Sequence, residues 1–361
     1  LDGFVGTITA SQQLPANTQP ESLDVGDIDG DGDIDVVVMN RSSGGNITIY
    51  TNNGTGTFTT SQTIATDPAE PNSLQIALED IDDDQDIDIL LTNNTGGTGG
   101  IRVYHNNGTG TFTVGNQITT GAITPLIPSL VDVNGDGKSD LITPNHNDNS
   151  ISVVLRNSGL NFQAPTVYPL TLQAASNPTL IISADFDGDQ DIDLFVPVGP
   201  GGGAVLLKNA GDGTFSNKQI LGHNGNQTAH SVDFDHDGDI DIIQGSDSGE
   251  IQLLRNDGAG NFQVSTLYDL NEEIKSLRVI DMNQDQNADI LVSTTSATYA
   301  LFTNLAEAVT EFQFDSESFH RITAADFTGD SYPDVVATHQ GDDYVKFFTY
   351  KPFDLTIDED A

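Results

Sequence analysis

Apolar residues in this chain come in short bursts. VVVM from Val36, ILL from Ile89, LIT from Leu141, LFV from Leu194 and VVA from Val335 have the length and branched composition of buried strands. A second set, ITIY from Ile47, IRVY from Ile101 and IQLL from Ile251, alternates and predicts strands of two unlike faces. No long stretch keeps a helical stripe. LAEAVTEF from Leu305 comes nearest, and it is too short for more than one or two turns. The chain is expected to be all-β.

Two polar signals punctuate these strands. The first is N-x-G-x-G-x-F and its relatives: NNGTGTF from Asn52 and from Asn106, NSGLNF from Asn157, NAGDGTF from Asn209, NDGAGNF from Asn256, and a decayed NLAEAVTEF from Asn304. Asn-Gly turns between apolar runs predict hairpins. The second is an acidic loop, D-x-[DNT]-x-D-x-x-x-D, that returns seven times at intervals of 45 to 53 residues. Each unit then reads as strand A, acidic loop, strand B, strand C, Asn-Gly turn and strand D.

Four strands per unit of this size, seven times over, predict a seven-bladed β-propeller in one domain. The blades are expected near 21–66, 73–120, 127–170, 178–222, 227–270, 275–315 and 320–361. GFVGTITASQQL from Gly3 reads as a strand D lacking its own A, B and C. The segment 4–10 is therefore expected to complete the last blade and close the ring, with FDLTIDED from Phe353 as the competing outer strand.

The acidic loops place oxygen side chains at positions 1, 3, 5 and 9. In the first loop these are Asp27, Asp29, Asp31 and Asp35, with the backbone carbonyl of Asp33 at position 7. By the same offsets the second loop uses Asp80, Asp82, Asp84, Asp86 and Asp88, and the third Asp132, Asn134, Asp136, Lys138 and Asp140. The fourth uses Asp185, Asp187, Asp189, Asp191 and Asp193, and the fifth Asp233, Asp235, Asp237, Asp239 and Asp241. The sixth uses Asp281, Asn283, Asp285, Asn287 and Asp289, and the seventh Asp326, Thr328, Asp330, Tyr332 and Asp334. Oxygen-only sets suit a hard cation, and calcium tolerates such geometry better than magnesium. Up to seven structural Ca²⁺ ions are expected. The loops carry no Lys or Arg sufficient to neutralise so many carboxylates, so the folded loop is costly without a cation. Asn283, and Thr328 with Pro333, make the sixth and seventh the weakest, and if any site is empty it is expected to be the seventh.

An EF-hand also opens D-x-D-x-D-G. It closes with a Glu at position 12, where this chain has Val38, Leu91, Thr143, Val196, Gln244, Val292 and Ala337. Twelve basic and 54 acidic residues give a net charge of −42, and seven divalent ions would still leave −28. Nucleic acid and anionic membranes are thereby poor partners. No apolar run is long enough for membrane insertion. Leu1 opens no secretory signal, which reads as a mature or trimmed segment. There is no Cys, so an extracellular chain would draw on bound metal in place of disulfides.

The paired motifs resemble the FG-GAP/VCBS repeats of the integrin α-subunit propeller, of many secreted bacterial proteins and of some fungal lectins. The resemblance spans essentially the whole chain. It implies a calcium-binding propeller and leaves the ligand open. Only NFQAP from Asn161 keeps the A-P of the integrin version, and all seven loops look competent, which places the chain nearer the bacterial type.

Catalytic signals are thin. The Gly-rich stretches at 96–100 and 199–203 lack the Lys-Ser/Thr of a phosphate loop, and GSDSG from Gly245 has Asp247 where a nucleophile elbow needs Ser. The expected function is a non-catalytic extracellular adhesion or ligand-binding module, secreted or at the cell surface, part of a larger multidomain protein. It would bind a protein or glycan through the face opposite the calcium loops, where loops differ between repeats. The alternatives are a lectin, or the scaffold of a polysaccharide lyase or sugar dehydratase.

Overall fold

Seven four-stranded antiparallel sheets stand in a ring in the computed structural model of the chain, which describes residues 6–41, 45–66, 75–93, 99–170, 177–199, 203–221 and 228–353. Blade 1 shows the plan: strand A Pro20–Gly26, B Asp35–Asn40, C Asn46–Thr51 and D Thr59–Ala65, each bonded to the next. In blade 3 strand C, Ser150–Val154, pairs directly with a short strand D, Thr166–Pro169. A small hairpin of Arg156–Ser158 and Asn161–Phe162 interrupts the connection. The only helix among the described residues is one 3₁₀ turn, His146–Asp148. None is long and apolar enough to cross a membrane.

The ring closes through its first strand. Gly6–Pro15 pairs antiparallel with strand C of blade 7, Tyr344–Pro352, from Gly6 opposite Pro352 to Pro15 opposite Tyr344. It supplies the outer strand expected of the N-terminal segment and runs five residues beyond Ala10, with a bulge between Ala10 and Gln12. Phe4 and residues 354–361, to which the competing outer strand belongs, lie outside the described residues.

The bursts of the sequence are the B strands. All six residues of Asp35–Asn40, and of the matching strand Asp88–Asn93, are buried. Side chains on the two faces of each B strand feed different clusters. Val37 and Met39 pack with Ile76, Ile89 and Leu91 of blade 2, while Val36 and Val38 pack with Val336, Val345 and Phe347 of blade 7. Seven such clusters occur, one at each blade boundary including the one between blades 7 and 1. The invariably apolar loop position 2 is explained here. Ile28, Ile81, Val133, Phe186, Phe234, Met282 and Phe327 are each at most 6% exposed and plug the seam toward the next blade. Full burial of such a side chain is worth about 1.5–3 kcal/mol. The acidic loop is thus anchored in the core by its second residue.

Candidate metal centres

Each acidic loop is drawn around its first aspartate. In the first, Asp27 Oδ1 accepts from the Gly30 N–H at 2.9 Å and Oδ2 from the Gly32 N–H at 3.0 Å, while Asp31 accepts from the Asp33 N–H at 2.9 Å. Asp132, Asp185 and Asp326 repeat the double contact with the residues three and five further on. The winding needs two left-handed residues, at positions 4 and 6. Gly30 and Gly32 supply them in loop 1, whereas Asp83 with Gln85 and Gln284 with Gln286 take the same positive φ in loops 2 and 6. A side chain in that conformation costs about 1–2 kcal/mol, so those two loops are wound against a backbone preference.

The ninth residue is the structural hinge of the site. Asp35 is fully buried; its Oδ1 accepts from the Asn52 N–H at 2.8 Å and its Oδ2 from the Ile28 N–H at 3.2 Å. Asp140, Asp241, Asp289 and Asp334 make the same pair of contacts. Burial, against the help of those N–H groups, pushes Asp35 and Asp289 up to about 7 and Asp88, Asp193, Asp241 and Asp334 up to about 6, with neighbouring loop carboxylates adding to the rise. Asp140 is raised for the same reason.

What remains is a set of oxygens with no proton donor. Oδ1 of Asp29, Asp82, Asp187 and Asp233 and Oδ2 of Asp88 and Asp193 are buried without a hydrogen-bond partner. One oxygen from each of Asp27, Asp29 and Asp35 lies within 4.8 Å of the others, as do those of Asp185, Asp187 and Asp193 and of Asp233, Asp235 and Asp241. In loop 2 the groups are Asp80, Asp82 and Asp84, and Asp82 and Asp88 with His105. These clusters could hold metal ions. The donors are all or nearly all oxygen, and orphaned buried carboxylate oxygens are what a cation would satisfy. Loops 3, 6 and 7 put Asn134, Asn283 and Thr328 at position 3, and no three-carboxylate group forms there among the described residues. In loop 6 the Asn283 amide donates to Asp285 at 3.2 Å, a proton where the other loops offer a lone pair.

Position 7 has a second task that the loop motif alone conceals. The carboxylate of Asp33 turns to the Asn-Gly turn of its own blade, where a Cβ at Gly54 would lie 2.6 Å from Asp33 Oδ2. Asp86 with Gly108, Asp191 with Gly211 and Asp239 with Gly258 repeat this, and all four glycines have positive φ. The first Gly of the turn is therefore fixed by the acidic loop.

The Asn of that turn stitches the ring. Asn106 Nδ2 donates to the Ile28 carbonyl of the preceding blade's loop at 2.7 Å and to the Ile87 carbonyl of its own at 3.0 Å. Asn52, Asn209 and Asn256 do the same toward Phe327, Val133 and Phe186. Blade 3 corrects the sequence alignment, because Arg156 and not Asn157 holds this place. Its N–H meets Asp140, its Nη1 the Ile81 carbonyl at 2.6 Å and its Nη2 the Asp83 carboxylate at 2.9 Å. Blade 6 has Thr303 in the same slot, and its hydroxyl reaches only the carbonyl of Ala288 in its own loop.

A second correction concerns charge. The loops are not all without neutralising bases, because strand C brings them from 20 or so residues away. The residue before the stitching position lies over loop position 3. Lys208 Nζ donates to Asp187 at 2.8 Å, Arg255 Nε is 3.3 Å from Asp235, and His105 Nδ1 is 3.6 Å from Asp82. Lys138 pairs with Asp136 within loop 3. Loop 1 has Thr51 at the corresponding point and no basic partner among the described residues.

The chain matches the FG-GAP-like repeat at residues 27–91, 80–143, 132–196, 185–243 and 233–292, each match beginning at the first aspartate of a loop. No curated protein matches its sequence. Similar solved structures include an Agrocybe aegerita lectin, solved for its specific recognition of non-reducing terminal N-acetylglucosamine. It is 18% identical with a TM-score of 0.60, over 90% of this chain and 86% of that one. BBS1N in complex with ARL6DN, solved after mercury and after lead soaks, is 10% identical with a TM-score of 0.63, over 96% of this chain and 98% and 97% of those chains. At these identities the likeness is one of fold. The five matches span most of the chain, and it belongs to the FG-GAP-like repeat family.

Proposed function

We propose that the chain is an extracellular calcium-binding propeller that acts as a non-catalytic ligand-binding or adhesion module, one part of a larger surface or secreted protein. Calcium is structural in this reading. It neutralises the carboxylates of each loop and ties strand A to strand B, while the Asn stitch ties that loop to the next blade. The carrying observation is the convergence of orphaned oxygens on Asp29, Asp82, Asp187 and Asp233 in loops that repeat one plan. All-oxygen donors without Cys favour calcium over zinc or copper.

The partner, a protein or glycan, binds the opposite face. There a cavity of about 830 Å³ is lined by residues from all seven blades. Arrays of glycans and matrix proteins probed in millimolar calcium test this. Selective capture that substitutions in the cavity rim abolish is expected, and capture indifferent to the rim, or turnover of an arrayed polysaccharide, contradicts it.

A lectin reading has an observation of its own. Between blades 2 and 3 a cleft of about 590 Å³ is lined by Asn116, Gln117, Asn161, Gln163 and the ring of Phe162. Amides beside a ring suit a sugar, and Phe162→Ala would abolish glycan capture in that case.

A further inference from the structure

The cavity on the face away from the acidic loops gathers what the rest of the chain lacks. Of 12 basic residues in a chain of charge −42, four line it: Arg41, Lys275, Arg278 and Arg321. Two are matched. Arg41 lies 3.9 Å from Glu21, and Lys275 pairs with Glu273 at 2.7 Å. Arg278 and Arg321, on the innermost strands of blades 6 and 7, have no described carboxylate at ion-pair distance. The buried Asp24 carboxylate attracts Arg278 from beyond ion-pair distance, and it accepts from the N–H groups of Val25 and Leu78 at 2.9 Å.

The guanidinium of Arg278 is aimed. Nη1 donates to the Leu277 carbonyl at 3.2 Å and to His230 Nε2 at 3.1 Å. Burial, with the Arg278 charge adding to it, holds His230 down at about 3, so the imidazole stays neutral and accepts. Arg321 is near enough for its charge to disfavour that of Arg278, and its own Nε is buried without a hydrogen-bond partner. Glu21 attracts Arg321 from beyond ion-pair distance; its Oε2 accepts from Gln340 at 2.8 Å, and His320 Nε2 lies 3.6 Å from its Oε1. Two like charges are thus held together at the wall of the cavity, and one of them, Arg321, keeps a buried donor without a partner. This is the inverse of the acidic loops, and it calls for an anion in the same way that they call for a cation.

We propose that Arg278 and Arg321 bind the carboxylate of an acidic saccharide at the mouth of the central channel. This rests on the opposite-face reading above and names its ligand class. A planar guanidinium pair suits a carboxylate. Gln75, Thr124, Thr179, Thr228, Ser318 and Gln340 ring the cavity and supply the amides and hydroxyls that a sugar's hydroxyl groups would meet.

Calorimetric titration of the intact calcium-loaded chain tests the proposal, using a trisaccharide ending in glucuronate, its glucose-ended counterpart and an oligoglutamate peptide. The glucuronate form is expected to bind, with affinity falling as NaCl rises, and the other two are not. Arg278→Gln and Arg321→Gln, made singly, are each expected to weaken binding by about tenfold or more, the loss of one charge-assisted contact. Melting temperature and calcium content should match the parent chain, and the salt dependence of the parent chain reports on the charge even if a variant misfolds. Equal binding of the glucose form, binding of the peptide alone, no binding, or variants that bind like the parent would overturn the proposal. Binding of the neutral sugar that is lost on Gln340→Ala would overturn it while leaving the opposite-face reading intact.

Discussion

The two faces of this disc solve opposite problems with opposite use of the repeat. On one face, carboxylates are concentrated seven times by the same local sequence, and the loop, the turn glycine and the stitching Asn explain one another. On the other face, the bases are concentrated once. Arg278 and Arg321 come from two neighbouring blades and two different registers. The residue three before the acidic loop is Arg278 in blade 6 and Asp24, Ala77, Ser129, Ile182, His230 and Thr323 elsewhere, and the residue five before it is Arg321 in blade 7 and Ser22, Gln75, Ile127, Leu180, Thr228 and Ser276 elsewhere. Repetition builds the frame and its acidic loops, and departure from repetition marks the cavity to which the proposal assigns the ligand.

Removing divalent ions should divide the faces most sharply. A site at tenfold excess of calcium over its dissociation constant adds about 1.4 kcal/mol. Spread over several sites in a chain of this size, chelation by EDTA is expected to lower the melting temperature by about 10 °C or more in a thermal scan. Restoring calcium should restore it, and Arg278→Gln should change neither value.

Single substitutions sharpen the contrast. Asp35→Ala takes away one candidate ligand and the acceptor of two buried N–H groups, and is expected to cost about 3 kcal/mol in denaturant titration. Asn106→Ala leaves the Ile28 and Ile87 carbonyls without their donor and should cost about 1–2 kcal/mol without removing an ion. Thr303→Ala, where no stitch to the previous blade exists, should cost less.

The pH response should be the mildest difference and has a definite sign. With the position 9 aspartates raised to about 6 or 7, the metal-free fold binds more protons than the unfolded chain between about pH 4 and 7. Metal-free stability should therefore rise as pH falls through that window. Protons compete with calcium for the same oxygens, so the loaded form should lose its advantage over the same range. The gap between melts with and without EDTA is expected to narrow from pH 8 to pH 5.

Much of this was legible in the sequence. The acidic loop and the Asn-Gly turn each lie within a dozen residues, so their period and strand order could be read directly, and the orphan first strand announced closure. What escaped is longer in range. That Lys208 and Arg255 lie over Asp187 and Asp235 follows from strand C crossing back over the loop. That Arg156 replaces an Asn follows from a register shift in blade 3, which an alignment by composition places one residue late. The central cavity draws one or a few residues from each blade, and no local pattern records that they meet.

Native mass spectrometry of the chain in millimolar calcium tests the central claim most directly. At least four bound calcium ions are expected, for the carboxylate clusters of loops 1, 2, 4 and 5, and Asp29→Ala should carry one fewer. A chain that retains no calcium, or an Asp29→Ala variant that retains as many ions as the parent, would contradict the account.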